Sequence, residues 1–189
     1  MSEKPVAAGK SSFDLIDAVK TFELMDIKPD SRFLDLACGI GKYSIEIADN
    51  IGVKGTVYAV DLWQEGIEAL KQEIKTKNIK NINAILADIS NKLPLEASSI
   101  DSCLMATILH DLSESNQKST MQEVTRLVKP GGMLNIIEFK KIDKGPGPPI
   151  DIRMEESQIE ALVTPYGFKK VISSEVGAFN YLSKYKKII

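Results

Sequence analysis

Residues 33–41 of this 189-residue chain read FLDLACGIG, and no other stretch says as much about the fold. An apolar run leads into an acid, Asp35, and small residues including Gly39 and Gly41 then alternate through a tight turn. An amphipathic segment, residues 42–51, follows directly. A buried strand, a glycine loop and a helix in this order form the unit with which open α/β sheets hold nucleotide-like ligands.

A second carboxylate, Asp61, stands twenty residues after Gly41, at the end of the apolar run 56–60. Asp61 therefore follows the next predicted strand and should lie at the same edge of the sheet as the glycine loop. A carboxylate in that place can accept hydrogen bonds from both hydroxyl groups of a ribose. The two features together indicate a site for a nucleoside cofactor.

The loop favours a nucleoside without phosphate. A dinucleotide fingerprint reads G-x-G-x-x-G, and the frame that begins at Gly39 continues with Gly41 and then Ser44, so the third glycine is missing. Asp35 would repel a pyrophosphate and attract an ammonium group. S-adenosylmethionine fits this pattern, because it carries ribose, adenine and a zwitterionic amino-acid tail.

Composition is that of a single globular domain, expected to span residues 11–189 after a mobile stretch at 1–10. A net charge of -2 gives no field that would attract nucleic acid or an anionic membrane. The two cysteines form no metal-ligand pattern, so no metal is expected. No apolar run approaches the length of a membrane span, and a cytoplasmic location is the default expectation.

Strand and helix patterns alternate along the chain, which implies parallel strands joined by right-handed crossovers. Gly145 to Pro149 breaks the alternation and is expected to be a connector rather than a lid over the cleft. The predicted strands are 32–36, 56–60, 82–86, 100–107, 133–139, 169–174 and 180–186, the last two forming an antiparallel pair. The predicted helices run from Ser11 or Ser12 to about 25, then over 42–50, 63–77, 115–128 and 155–164.

These motifs, in this order, resemble the class I S-adenosylmethionine-dependent methyltransferases, in particular their type-11 group. Residues 33–41 are similar to the family's first motif, D-x-G-x-G-x-G, and residues 57–61 to its ribose-binding strand end. Residues 87–89 and 127–132 resemble the third-strand motif and the turn before strand five. Ala37 stands where the family often has glycine, and alanine is compatible with the loop if its φ is negative.

The resemblance implies a Rossmann-like, doubly wound α/β/α sandwich. Its sheet would have seven strands, six of them parallel, with the last strand antiparallel and inserted beside the fifth. The cofactor would bind to about 30–112, and residues 113–189 would form the acceptor side. The implied cofactor residues are Asp35 with Ala37, Cys38, Gly39 and Gly41 for the methionine tail, Asp61 for the ribose, Leu62, Asp88 and Ile89 for the adenine, and Ala106 and Thr107 below the sulfonium.

Three residues are candidates for the acceptor side. His110, the sole histidine, follows the fourth predicted strand, where a neutral imidazole could remove a proton from the acceptor. Glu138 ends the fifth strand and could line the same pocket, and Phe13 could cap it. The alternatives are a structural role for His110 and exposure to water for Glu138.

The predicted activity is methyl transfer to a small-molecule acceptor, with S-adenosylhomocysteine as product and a monomer or homodimer as the active form. An NAD-dependent reductase shares the loop and Asp61, but no Tyr/Lys hydride-transfer pattern is evident. A non-catalytic scaffold that binds the cofactor is a second alternative. A macromolecule methyltransferase is a third, although residues 107–110 read TILH rather than an N-P-P-Y-like tetrapeptide.

Overall fold

In the computed structural model, which describes residues 8–188, one sheet of seven strands runs through the molecule. The strand order is β3-β2-β1-β4-β5-β7-β6, and β7 alone runs in the direction opposite to the other six strands. The predicted sheet, with its last strand inserted beside the fifth, is therefore confirmed. The strands are β1 (Arg32–Leu36), β2 (Thr56–Asp61), β3 (Ile82–Leu86), β4 (Ile100–Ala106), β5 (Val128–Phe139), β6 (Phe168–Glu175) and β7 (Asn180–Lys187).

Helices cover both faces of the sheet and bury two apolar clusters. Because side chains alternate along a strand, Phe33 of β1 packs on one face while Leu34 packs on the other. The helices are α1 (Ala18–Met25), α2 (Lys42–Ile51), α3 (Gln64–Thr76), α4 (Glu114–Leu127) and α5 (Glu156–Val163). The first three pack on the Phe33 face, and α4 and α5 pack on the Leu34 face.

The first helix begins later than the sequence predicts, so the prediction of a cap at Ser11 or Ser12 is wrong. A single 3₁₀ turn is followed by extended backbone at Ile16, and Asp17 then caps α1 by accepting a hydrogen bond from the Lys20 amide at 3.0 Å. The backbone N–H of Asp17 donates to the Val176 carbonyl, which holds the chain extended there. Of the stretch 1–10, expected to be mobile, residues 1–7 lie outside the described residues.

The glycine loop differs from expectation at one residue. Ala37 has φ 59°, so the negative φ under which alanine would suit the loop is not present, and Gly39 and Gly41 are left-handed as well, at 57° and 80°. The chain has to turn this tightly because the Cys38 amide donates to the carbonyl of Val60 on the adjacent strand. A non-glycine residue in this conformation costs free energy, and Ala37 is therefore a strained position.

Ala37→Gly should raise the free energy of unfolding by about 1 kcal/mol, because glycine adopts a positive φ without the clash of a Cβ. The urea midpoint measures the change. Ala48→Gly, within α2, is the control and should lower the midpoint, since glycine weakens an ordinary helix. A lower midpoint for Ala37→Gly as well would contradict the proposed strain.

Candidate active site

One cleft opens at the carboxyl ends of β1, β2, β3 and β4, where parallel strands bring their last residues to a common edge. Gly41 lies beneath the loop instead, and a Cβ there would come within 2.4 Å of Leu70. The other ten predicted cofactor residues line the cleft: Asp35, Ala37, Cys38, Gly39, Asp61, Leu62, Asp88, Ile89, Ala106 and Thr107.

Asp61 links the glycine loop to the end of β2. Its Oδ2 accepts a hydrogen bond from the Gly39 amide at 2.7 Å, and its Oδ1 accepts one from the Trp63 amide at 2.8 Å. Trp63 is itself the N-cap residue of α3, so Asp61 does not cap that helix. Each carboxylate oxygen can accept a second hydrogen bond, and Asp61 therefore fixes the loop while remaining able to bind two hydroxyl groups.

Asp35 is a buried acid at the floor of the cleft, with 1% of its surface exposed. The Ser44 hydroxyl of α2 donates to it at 2.5 Å. Burial raises the pKa of Asp35 to about 7, with a further increase from Asp61, and the Ser44 hydrogen bond opposes the shift. No cationic side chain among residues 8–188 contributes to this pKa, so the protein supplies Asp35 with no counter-charge.

The adenine side of the predicted site is formed by Leu62, Asp88 and Ile89. Asp88 Oδ1 accepts hydrogen bonds from the amide and the hydroxyl of Ser90, which makes it a turn-forming residue as well. Leu62 is 49% exposed although it is apolar, whereas Ile89 is 3% exposed and belongs to the core. Leu62 therefore offers an apolar surface to a ligand, and Ile89 supports the wall behind it.

Residues 8–12 pass over the cleft, a contribution that the sequence did not reveal. Ser12 is buried, and its hydroxyl lies 3.0 Å from the hydroxyl of Tyr43. Thr107 donates to the Ser12 hydroxyl at 3.3 Å and has φ 52°, a strained value for a β-branched residue. Phe13 packs edge-on against Tyr43 at 5.1 Å between ring centroids and does not line the cleft.

His110 and Glu138 lie together behind the cleft wall. His110 Nδ1 is 2.6 Å from Glu138 Oε2, and the side chains are 4% and 1% exposed. Neither residue lines the cleft, whereas Asp111 and Leu112, which the sequence did not single out, do so. The side chain of Asp111 lies 3.6 Å from His110 Nε2.

The Gly/Pro stretch is fastened by Arg153, which is 4% exposed. Its guanidinium donates hydrogen bonds to backbone carbonyls of Lys140, Ile142, Pro146 and Pro148, at 2.8 to 3.2 Å. One side chain thus organises a stretch that has no regular structure of its own. This arrangement favours the connector interpretation, which remains a prediction.

Membrane-spanning helices and clusters of metal ligands are both absent from residues 8–188. No helix in this range is both long and apolar enough to cross a membrane. No group of three or more histidine, cysteine or acidic side chains in this range could hold a metal ion.

Burial raises the pKa of the Cys38 thiol, and nearby Asp35 and Asp61 add to the effect, so this thiol in the loop stays protonated and is a poor nucleophile.

The inserted antiparallel strand, with acids at or next to the ends of β1 and β2, is characteristic of the class I S-adenosylmethionine-dependent methyltransferase fold. A solved structure from Aquifex aeolicus, described as a SAM-dependent methyltransferase, superposes with TM-score 0.86 and 26% identity over 97% of this chain and 96% of that one. The [4+2]-cyclase SpnF superposes with TM-score 0.78 and 16% identity, over 96% and 84% of the two chains, and shows the fold alone.

A family model described as a methyltransferase domain matches residues 27–161. The chain belongs to this family. Demethylmenaquinone methyltransferase of Bacillus mycoides strain KBAB4 is 30% identical over 119 residues, which are 63% of this chain and 49% of that protein. The chain thus spans about half the length of the curated relatives that it matches.

Proposed function

We propose that this protein transfers the methyl group of S-adenosylmethionine to a small-molecule acceptor by in-line displacement and releases S-adenosylhomocysteine. The observation that carries the proposal is the pair of Asp35 and Asp61 at the ends of adjacent parallel strands in one cleft. Asp35 lacks a cation and Asp61 has free acceptor capacity, so the two acids suit the two polar ends of this ligand.

The residues of the cleft fit the parts of the ligand in turn. The methionine ammonium would lie near Asp35 and the loop 37–41, and the ribose hydroxyls would bind Asp61. The adenine would pack on Leu62, with Asp88 at its edge. The bound ligand supplies a methyl group already activated by a positive sulfur, so the protein has to align the reactants and exclude water rather than provide a strong electrophile.

The alternatives are less well supported. A pyrophosphate of NAD would approach the uncompensated Asp35, and Ser44, at the place of the third glycine, is buried and hydrogen-bonded to that acid. A net charge of -2 gives nucleic acid little attraction. The cyclase SpnF shares the fold, so the fold alone does not distinguish methyl transfer from another role. A measurement of turnover makes that distinction.

The relatives supply a candidate class of acceptor. Because the demethylmenaquinone methyltransferases match this chain along about half of their own length, we extend the proposal to a reduced quinone or another hydroxyaromatic molecule. 1,4-Naphthalenediol is a soluble probe of this class. A monomer or homodimer in the cytoplasm is part of the same proposal.

Calorimetric titration and a turnover assay test the proposed function together. Binding of S-adenosylhomocysteine without binding of NAD is the expected first result. Conversion of S-adenosylmethionine to S-adenosylhomocysteine in the presence of 1,4-naphthalenediol is the expected second. Affinity for NAD alone would favour the reductase, and cofactor binding without turnover on a panel of phenols, amines and thiols would favour the scaffold.

Affinity for S-adenosylhomocysteine should depend on pH through Asp35, whose pKa is about 7. The ligand ammonium attracts the carboxylate form, and the population of that form falls as the pH falls. The dissociation constant should therefore rise about tenfold from pH 8 to pH 6. Calorimetry at a series of pH values measures the change. Asp88→Asn is the control, and its dissociation constant should depend on pH in the same way as that of wild type. An affinity that is flat over this range would contradict the role of Asp35.

A further inference from the structure

The carboxylate of Glu138 holds the His110 ring in one orientation. Glu138 is fully buried, its Oε1 accepts a hydrogen bond from the Leu109 amide at 3.1 Å, and its Oε2 accepts one from the Phe139 amide at 3.3 Å. Oε2 also lies 2.6 Å from His110 Nδ1. Because three groups fix this carboxylate, it can turn neither toward the cleft nor away from the imidazole.

The second nitrogen of the ring faces Asp111, which is the member of the cluster that reaches the cleft. Asp111 lines the cleft with 12% of its side chain exposed, and its Oδ2 is 3.6 Å from His110 Nε2. Burial lowers the pKa of His110, but Glu138 and Asp111 outweigh burial and nearby Arg153, and the pKa is raised. His110 thus lies between a buried carboxylate and an accessible one, and both favour the protonated form of the ring.

Asp111 differs from the other acids of the cleft in its hydrogen bonding. Asp61 and Asp88 each accept two hydrogen bonds from protein groups. The carboxylate of Asp111 accepts none from a donor in the described residues 8–188, and His110 is its only ion-pair partner there. Its lone pairs remain available to a molecule in the cleft.

Asp111 shares the cleft with Asp61 and Asp88 but lies at a different point along the edge of the sheet. Asp61 is the last residue of β2 and Asp88 follows β3, toward one edge of the sheet. Asp111 lies in the 3₁₀ turn after β4, and His110 connects it to the end of β5 on the other side of β1. A cofactor whose tail, ribose and adenine lie at the ends of β1, β2 and β3 would bring its sulfonium to Ala106 and Thr107, on the side of the cleft where Asp111 lies.

We propose that Asp111 contacts the methyl acceptor and takes its proton, and that His110 and Glu138 are positioning residues that hold Asp111. This inference rests on the proposed function. A lone pair of the acceptor forms the bond to the methyl carbon, the carbon–sulfur bond breaks, and its electron pair stays on sulfur. The acceptor's proton passes to the Asp111 carboxylate and from there to water, which balances charge and atoms.

Because the chain has a single histidine, every imidazole resonance in an NMR spectrum belongs to His110. NMR therefore tests directly whether Glu138 and Asp111 both contact the His110 ring. The ring pKa should fall in Asp111→Asn and in Glu138→Gln, since each change removes a negative charge that favours the imidazolium. Asp49→Asn, at an exposed position of α2, is the control and should leave the ring pKa unchanged. If Asp111→Asn leaves it unchanged as well, the assigned arrangement is wrong.

Turnover with 1,4-naphthalenediol tests the contact with the acceptor. We expect Asp111→Asn to lower kcat about 100-fold, a typical contribution of a general base, while the affinity for S-adenosylhomocysteine stays within about twofold of wild type. His110→Gln should lower kcat by a smaller factor and also spare that affinity. Asp49→Asn should match wild type in both measurements.

Two results would overturn the inference and a third would not. If Asp111→Asn keeps the wild-type kcat, Asp111 does not take the proton of the acceptor. If Asp111→Asn instead loses most of its affinity for S-adenosylhomocysteine, Asp111 binds the cofactor. A wild-type protein that binds no S-adenosylhomocysteine, or that methylates no acceptor offered, contradicts the proposed function instead. The histidine titration still decides in that case whether Asp111, His110 and Glu138 form one unit.

Discussion

Replacing Asp35 by asparagine is expected to stabilise the ligand-free protein at pH 8 and to abolish its binding of S-adenosylhomocysteine. The pKa of Asp35 rises from 3.8 to about 7 in the folded protein because the carboxyl is buried. Between these values the folded state holds a proton that the unfolded state has lost. The contribution of Asp35 to the free energy of unfolding therefore falls as the pH rises from about 4 to about 7.

The size of the effect follows from the shift. About three pKa units correspond to a loss of up to about 4 kcal/mol above pH 7, less the cost of burying the amide that replaces the acid. Asparagine carries no charge at any pH, so the variant escapes this loss. It also cannot attract the ligand ammonium, and binding should disappear although the fold is more stable.

Urea denaturation at pH 8 and pH 5 measures the stability change. The gain for Asp35→Asn should be larger at pH 8 than at pH 5, where the folded wild type is already protonated. Asp49→Asn, an exposed change in α2, should alter neither stability nor binding. A variant that is less stable than wild type at pH 8, or that binds S-adenosylhomocysteine normally, would contradict the assignment of Asp35.

Asp61→Ala should weaken binding of S-adenosylhomocysteine by about 2 kcal/mol, roughly 30-fold, because the ribose loses a partner for both hydroxyl groups. The same change removes the acceptor for the Gly39 and Trp63 amides, so it should also lower the free energy of unfolding by about 1 to 2 kcal/mol. Calorimetry measures the first effect and urea denaturation the second.

A second substitution separates the two roles of Asp61. Asp61→Asn keeps one acceptor oxygen, so the Asp61→Asn protein should be more stable than the Asp61→Ala protein. It should still bind S-adenosylhomocysteine more weakly than wild type does. Asp88→Asn is the matched control at the neighbouring strand end, and we expect a smaller loss of affinity from it. If a folded Asp61→Ala protein binds S-adenosylhomocysteine with unchanged affinity, Asp61 does not bind the ribose.

The sequence was sufficient for the sheet and for much of the cleft, since these depend on local patterns. Apolar runs that end in Asp35 and Asp61 predict both the strands and the edge at which their acids meet. The insertion of β7 beside β5 came from the family resemblance, because no local pattern specifies which strands pair.

Other features depend on contacts between distant parts of the chain. The late start of α1 follows from the bond between the Asp17 amide and the Val176 carbonyl, and Asp17 lies far from Val176 in sequence. No sequence pattern distinguishes Arg153 from a surface arginine, and its role depends on the hydrogen bonds that it donates to four backbone carbonyls in and beside the Gly/Pro stretch. His110 was singled out as the only histidine, whereas the accessible Asp111 beside it has no pattern that marks it.

A crystal structure of the protein bound to S-adenosylhomocysteine would show whether the two acids bind the two polar ends of the ligand. We expect the amino group of the ligand against the Asp35 carboxylate and both ribose hydroxyls on Asp61, within one cleft. A ligand bound elsewhere, or one whose amino group and ribose contact neither acid, would contradict this expectation.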